Sequence, residues 1–195
     1  TEEHVRSGQY PMMGEFEFRH YVSQGACKEG RMDREVNIRL DVANGHRLFK
    51  LSAETGIPFL IHNDPEDAAL DSLEIMLKAY PKARVIQAHF SQIRSPSRQQ
   101  RFTPQYVRHL LTTYPNLFYD ISVGSPGRRY ECKGRVVLDT YLWKNKTENT
   151  LDPAYKAIFT DFSDCFVAGM DYGGGRPTLY RFWGGANKTE LVIFV

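Results

Sequence analysis

The sequence has few cysteines and little net charge. Its three cysteines, Cys27, Cys132 and Cys165, lie far apart without CxxC spacing, a pattern that favours reduced thiols over a disulfide framework. A formal net charge of +2 gives no reason to expect a nucleic-acid partner. Residues 1–6 contain no apolar signal core, so we expect a cytoplasmic protein.

Long hydrophobic runs and nucleotide-binding motifs are also missing. No apolar stretch approaches the roughly 20 residues that a membrane-spanning helix needs, so no membrane partner is expected. Neither GxGxxG nor GxxxxGK[ST] follows any apolar run, which argues against the common nucleotide-binding sheets. The 195 residues are enough for one domain with a sizeable core, and we expect a single domain over residues 1–195.

What the sequence does contain is a set of short apolar runs that end in a titratable residue. The four runs end at His62, His89, Asp120 and Asp171. Each run has the β-branched and aromatic composition of a short buried strand. Because α/β proteins place their chemistry at the carboxyl ends of parallel strands, these side chains are candidates for a metal or acid–base site.

Helical segments alternate with these strands. Helices are predicted over residues 41–54, from Asp64-Pro65 to Tyr80-Pro81, from Thr103-Pro104 to Tyr114-Pro115, and from Asp152-Pro153. A further strand is predicted over residues 13–18, and residues 124–151 are predicted to be a loop insertion. This order predicts an α/β fold with about five parallel strands. Candidate chemistry at four strand ends favours part of a TIM (β/α)8 barrel over a doubly wound sheet.

An ordered series of segments resembles the amidohydrolase superfamily, in the branch that holds aminocarboxymuconate decarboxylase and lactonases. The segments are Gly14-Glu15, Ile61-His62, Val85–Phe90, Tyr114–Ser122 and Ala168–Tyr172. The resemblance implies that they are strands four to eight of a TIM barrel. It also implies a divalent metal, most simply zinc, held by His62, His89 and Asp171, with His89 and Asp171 as catalytic groups.

The family's strand-one His-x-His pair does not occur in the sequence, and residues 1–12 are too few for three further strands. We therefore expect the C-terminal portion of a barrel, open at its edges, in which residues 165–170 form an edge strand. Such a fragment would be prone to form oligomers. The resemblance implies a hydrolase of amides, esters or lactones. The alternatives are a metal-dependent decarboxylase and an inactive truncated barrel.

Substrate contacts are expected from arginines near the strand ends. Glu15, Glu17 and Arg19 share one strand face by alternation, which turns His20 the other way. Arg19 is therefore a candidate substrate-binding residue, although an internal ion pair explains it equally well. Arg176, in the glycine-rich loop after Asp171, is a second candidate, and Arg94 lies in a comparable loop. Such arginines would suit a small-molecule carboxylate. His46 and His109 are expected to be ordinary helix residues.

Overall fold

A computed structural model describes residues 2–91, 94–96, 101–123, 129–138, 142–145 and 150–169. In chain order the strands are β1 (Met13–His20), β2 (Val36–Asn37), β3 (Phe59–Asn63), β4 (Val85–Gln87), β5 (Ser95–Pro96), β6 (Leu117–Asp120), β7 (Arg129–Cys132), β8 (Arg135–Leu138), β9 (Trp143–Asn145), β10 (Thr150–Leu151) and β11 (Phe166–Val167). The α-helices are α1 (Glu2–Arg6), α2 (Gln24–Lys28), α3 (Ala43–Thr55), α4 (Asp67–Ala79), α5 (Pro104–Thr113) and α6 (Pro153–Asp161).

The main sheet has the order β11-β6-β4-β3-β1-β2. Its first five strands are parallel to one another and follow the chain order, and β2 joins β1 in the antiparallel direction. Within the residues that the structure covers, β11 pairs with β6 alone. The predicted α/β fold is confirmed, and an open sheet of sequential parallel strands is consistent with part of a TIM barrel. The antiparallel strand β2 was not predicted.

Helix ends follow the local signals in the sequence. Gly56 ends α3 with a left-handed φ of 74°, a conformation that glycine adopts without steric cost. Thr103 accepts a hydrogen bond from the backbone N–H of Tyr106 at the start of α5. Asp152 does the same for Ala154 at the start of α6. The strand–helix boundaries near the candidate site therefore follow from sequence.

The core lies between the parallel strands and the helices that cover them. Alternate residues of β3, β4 and β6 are fully buried and pack against apolar residues of α4 and α5. The strand residues are Phe59, Ile61, Val85, Leu117 and Tyr119, and the helix residues include Leu70, Leu73, Val107 and Leu110. Burial of each such side chain contributes about 1.5–3 kcal/mol relative to its exposed state. Because side chains alternate along a strand, this packing directs His62, the residue after Ile61, to the opposite face.

The expectation of reduced cysteines is wrong for two of the three. Cys27 of α2 and Cys132 of β7 form a disulfide across a sequence separation of 105 residues, and Cys165 is free. Two cysteines so far apart in sequence give no spacing signal, because the tertiary fold alone brings them together. Disulfides persist mainly in oxidising environments. The bond therefore weakens the reasoning behind a cytoplasmic location, which stays an untested prediction.

The disulfide attaches a small second sheet, with the order β5-β8-β7, to α2. The hydroxyl of Tyr130 in β7 donates a hydrogen bond to the carbonyl of Val22, just after β1. Arg135 of β8 pairs with Glu35, 2.5 Å away. The sheet accounts for part of the predicted 124–151 insertion and is tied to the chain that follows β1.

None of the helices among the described residues is long and apolar enough to cross a bilayer.

Candidate metal centre

Three potential metal ligands from neighbouring strands of the main sheet lie close together: the two histidines are at the carboxyl ends of their strands, and the glutamate is in the first half of its strand. Glu15 of β1, His62 of β3 and His89, just after β4, each offer one ligand atom, and the three atoms lie within 4.8 Å of one another. Oε1 of Glu15 lies 2.9 Å from Nδ1 of His62 and 3.5 Å from Nε2 of His89. The imidazole rings of His62 and His89 are 5.0 Å apart, centre to centre. The structure therefore brings together His62 and His89, two of the three residues predicted to share a metal site.

Two irregularities in β1 determine which of its side chains reach this site. The pairing of β1 with β3 shifts by one residue between Met13 and Phe16 and again between Glu17 and Arg19. Gly14, at the first shift, has a left-handed φ of 76°, and a Cβ atom there would contact the Leu60 carbonyl at 3.1 Å. Each shift breaks the alternation of side chains, so strict period-two reasoning fails along this strand.

His20 lies next to the candidate metal centre, so the prediction that its side chain points away is wrong. Alternation turned it away from the site, but its buried imidazole lies 4.5 Å from that of His62. Its Nδ1–H donates to the carbonyl of Arg34, at 2.8 Å. Glu17, in contrast, pairs with Arg34 at 3.1 Å and is not among the three clustered ligands. The second irregularity of β1 explains the difference, since it lies directly before Arg19 and His20.

The backbone around His89 is unusual and is held by Asp120. His89, Phe90 and Ser91 have φ values of 58°, 51° and 51°, a left-handed conformation that non-glycine residues rarely adopt. A carboxylate oxygen of Asp120 accepts the His89 N–H at 2.9 Å, and the same atom accepts the N–H of Ser122 at 2.9 Å. Such conformations persist only where the surroundings impose them, and they concentrate at functional sites.

Ser122 sets the orientation of the His89 ring. Nδ1 of His89 lies 3.0 Å from the Ser122 carbonyl oxygen, which can only accept, so Nδ1 carries the proton that is donated. Nε2 is then the nitrogen that faces Glu15. Donation from one ring nitrogen to a carbonyl is the arrangement that orients a metal-binding histidine. Asp120, a candidate from its place at a strand end, thus contacts the backbone and Ser122 and is not among the three clustered ligands.

His62 and Asp64 are buried next to each other without a mutual hydrogen bond. Nε2 of His62 lies 3.3 Å from Oδ1 of Asp64, and neither atom makes a hydrogen bond to any residue in the described ranges. The other Asp64 oxygen accepts the N–H of Tyr21 at 2.9 Å. Buried polar atoms are normally satisfied, so these two atoms fit a site that receives a further polar or ionic group.

The electrostatics of the three ligands are strongly coupled. Hydrogen bonds from His62, first, and His89, second, hold the pKa of the Glu15 carboxyl well below its usual range. Burial is the largest influence on the pKa of His62 and lowers it, but Asp64 and Glu15 together outweigh burial and raise that pKa to about 9. Burial also lowers the pKa of His89, and the hydrogen bond with Glu15 contributes most to the net rise.

The donor set fits a divalent transition metal. Two imidazoles and one carboxylate are ligands that zinc binds, and three protein ligands leave a position open for water or substrate. Nδ1 of His62 and Nε2 of His89 are the nitrogens that face Glu15, and the Ser122-oriented ring of His89 agrees with this use. Sequence reasoning missed Glu15 as a ligand. The available signal was an acidic residue after a glycine, in an apolar strand one β–α unit before His62.

The remaining predicted site residues are Arg19, Asp171 and Arg176. Arg19 is 3% exposed; its Nε donates to Glu66 and its Nη1 donates to the carbonyl of Val36. This is the internal ion pair that the sequence left open. Asp171 and Arg176 lie outside the described residues, so their roles stay predictions. Gly169 is nearby, because a Cβ atom there would lie 2.8 Å from the Asp120 carboxyl carbon.

Comparison with known proteins gives little further information. No protein-family model and no curated protein matches the chain. A solved structure that is similar is an uncharacterized TIM-barrel protein from Bordetella bronchiseptica, with 13% identity and a TM-score of 0.45. The match covers 88% of this chain and 58% of that structure, so the chain spans less than two thirds of its length. The similarity is too distant to assign a family or an activity.

Proposed function

We propose that the chain carries the metal centre of a hydrolase that cleaves an amide, ester or lactone bond, with zinc as the metal. The observation that supports the proposal most is the convergence of Glu15, His62 and His89 within 4.8 Å, with both histidines at the carboxyl ends of parallel strands. Active sites of (β/α)8 enzymes are found at this end of the barrel. The ordered resemblance to amidohydrolases, which includes Gly14-Glu15, Ile61-His62 and Val85–Phe90, agrees with this assignment.

Different residues of the chain are proposed to bind the metal and to transfer protons. When bound, a divalent ion supplies Lewis-acid chemistry, which activates water and polarises a carbonyl group. Glu15 and His62 hold the ion, and the Ser122 carbonyl keeps the proton of His89 on Nδ1. His89 Nε2 then faces the centre, where it completes the donor set or moves a proton. Asp171 is proposed as a further ligand and proton acceptor from its place in the sequence alone.

A small-molecule carboxylic acid is the proposed class of substrate, and self-association of the chain is a further prediction. Decarboxylation at the same centre is the alternative reaction, in which His89 would donate a proton to carbon. The two reactions differ in product. Ester hydrolysis releases an alcohol and an acid, whereas decarboxylation releases carbon dioxide.

The proposal is tested by assaying a panel of simple esters, lactones and amides beside aromatic carboxylic acids, with zinc-loaded and with chelator-treated protein. We expect zinc-dependent hydrolysis that His89→Gln lowers by at least about a hundredfold, in the range of positioned acid–base groups. His109→Gln is the matched control, since His109 is an exposed residue of α5. Carbon dioxide release without hydrolysis would favour the decarboxylase. Equal turnover with and without metal would contradict both reactions.

A further inference from the structure

Arg94 lies beside the candidate metal centre. It is half-buried, and one of its Nη atoms lies 2.8 Å from Nε2 of His20. His20 in turn packs 4.5 Å, ring to ring, from His62. The guanidinium group of Arg94 therefore contacts a histidine that packs directly against the candidate ligand His62. Arg94 and His20 are 74 residues apart in sequence.

The hydrogen bonds of His20 fix how Arg94 is held. Nδ1–H of His20 donates to the Arg34 carbonyl, so its Nε2 accepts a hydrogen bond from Nη1 of Arg94. A guanidinium group has five N–H donors in a planar fork. The contact with His20 uses one of them. Within the part of the chain that the structure describes, the other four donors make no hydrogen bond.

The charge of Arg94 has no carboxylate counterpart in the described part of the chain. The acidic groups around His20 and His62 have other neighbours. Glu17 pairs with Arg34 and lies 4.0 Å from Nε2 of His20. Glu15 contacts His62 and His89, and Asp64 lies 3.3 Å from His62 and accepts the N–H of Tyr21. The one polar partner of Arg94 in the described ranges is His20, whose Nε2 accepts the hydrogen bond but carries no negative charge. A half-buried cation without a paired anion is an arrangement that favours an anionic ligand.

We propose that Arg94, held by His20, binds a carboxylate group of the substrate next to the metal centre. This inference rests on the proposed function and deepens it, because it names a charged group on the substrate and the residue that recognises it. It also replaces Arg19 in that role, since Arg19 is 3% exposed and its Nε and Nη1 atoms are committed to Glu66 and Val36.

The small sheet explains how Arg94 is kept in place. Arg94 directly precedes β5, and β5 pairs with β8 through Ser95 and Leu138. The β7–β8 hairpin is tied by the Cys27–Cys132 disulfide to α2, which follows β1 and His20. The segment after Arg94 is thus paired with a hairpin that the disulfide links to the chain a few residues after His20. A planar carboxylate suits a guanidinium fork because two parallel hydrogen bonds form at once.

The test measures benzoate and benzamide binding to chelator-treated protein by ligand-observed NMR, so that no metal contributes. Wild-type protein is expected to bind benzoate in preference to benzamide. Arg94→Gln is expected to weaken benzoate binding by about tenfold to a hundredfold, the range for hydrogen bonds to charged groups. Arg84→Gln is the matched control. Arg84 is an exposed arginine at the other end of β4, and its loss should leave benzoate binding unchanged.

Three further measurements make the outcome decisive. Thermal unfolding of Arg94→Gln should match that of Arg84→Gln, and Arg94→Lys should restore part of the benzoate affinity because it keeps the charge. Zinc affinity should not fall in Arg94→Gln, which separates failure of this inference from failure of the metal centre. Unchanged benzoate binding in Arg94→Gln, equal binding of benzamide, or tighter binding of inorganic phosphate would each overturn the assignment.

Discussion

Nδ1 of His62 lies 2.9 Å from Oε1 of Glu15, although the two residues are 47 positions apart in sequence. The contact joins the first half of β1 to the carboxyl end of the adjacent parallel strand β3, and His89, just after β4, adds a third potential ligand. Without a metal, the acidic and imidazole groups stabilise each other as an ion-paired cluster. The same three groups are suitably placed to share a divalent ion. The cluster can therefore either hold protons or bind a metal, and the predictions below depend on this competition.

The pH dependence of zinc binding follows from the raised pKa values of the two histidines. The pKa of His62 is raised to about 9 by Asp64 and Glu15 against the opposing effect of burial. A protonated imidazole cannot bind metal, so zinc must displace protons at pH 7. We expect the apparent zinc affinity to rise steadily between pH 6 and pH 8.5, by up to about tenfold per pH unit for each proton displaced. Competition with a chelator of known affinity measures this, and a flat profile would contradict it.

The stability of the metal-free protein should change in the opposite sense. Because the folded-state pKa of His62 is raised above its unfolded value of about 6.5, its stabilising contribution is fully present below that value. The contribution is lost as the pH rises through about 9. Urea unfolding at several pH values measures the effect. In His62→Gln the decline in unfolding free energy between pH 6.5 and pH 9 should be smaller than in wild type.

Asp120 should affect both stability and metal binding, although it is not one of the clustered ligands. One of its carboxylate oxygens accepts hydrogen bonds from the backbone of His89 and Ser122, and it is 6% exposed. We expect Asp120→Ala to lower the unfolding free energy by about 1–3 kcal/mol, because buried donors lose their acceptor. Zinc affinity should fall by about tenfold to a hundredfold, as for other groups that orient ligands.

The matched control for Asp120 is Asp161→Ala. Asp161 pairs with Arg108 on the surface, and its side chain is 49% exposed. Exposed ion pairs contribute at most about 1 kcal/mol, so this variant should change neither property measurably. If Asp120→Ala also behaved like wild type, the proposed support of the His89 backbone would be wrong.

The Cys27–Cys132 disulfide should be a major source of stability. It closes a loop across 105 residues, and native disulfides of this kind contribute about 2–5 kcal/mol. We expect the double variant Cys27→Ser/Cys132→Ser to lose about that much unfolding free energy. Cys165→Ser, at the free cysteine, should lose far less. Peptide mapping without reductant should recover the linked Cys27 and Cys132 peptides. Three free thiols in the protein unfolded without reductant would contradict the bond.

Local sequence signals predicted much of the fold. The caps at Gly56, Thr103 and Asp152 fixed helix ends, and apolar runs located the parallel strands and placed His62 and His89 at their ends. These features depend on neighbours within a few residues. Glu15 and His20 were harder to place, because two shifts in the pairing of β1 reverse its alternation. Those shifts depend on contacts with β3, which is distant in sequence.

The other missed features also depend on long-range contacts. The disulfide joins two elements that the chain gives no local reason to connect. Arg19 donates to Glu66 and Arg94 donates to His20, and both hydrogen bonds depend on which strand ends meet in the folded chain. The sequence supplied a short list of candidate residues at one rim. Only the folded arrangement separates the arginine committed to internal pairs from the one whose charge is unpaired within the described chain.

The most direct test of the central claim is a zinc titration of metal-free protein with a competing chelator. The wild-type chain, Glu15→Gln, His62→Gln and His89→Gln are compared with His46→Gln, a helix residue whose imidazole bonds to Tyr80. We expect one zinc ion per wild-type chain. Each ligand variant should lose more than about a hundredfold in affinity, beyond the range for supporting groups, and His46→Gln should keep the wild-type value. Wild-type protein that binds no zinc, or ligand variants that bind it equally well, would contradict the account.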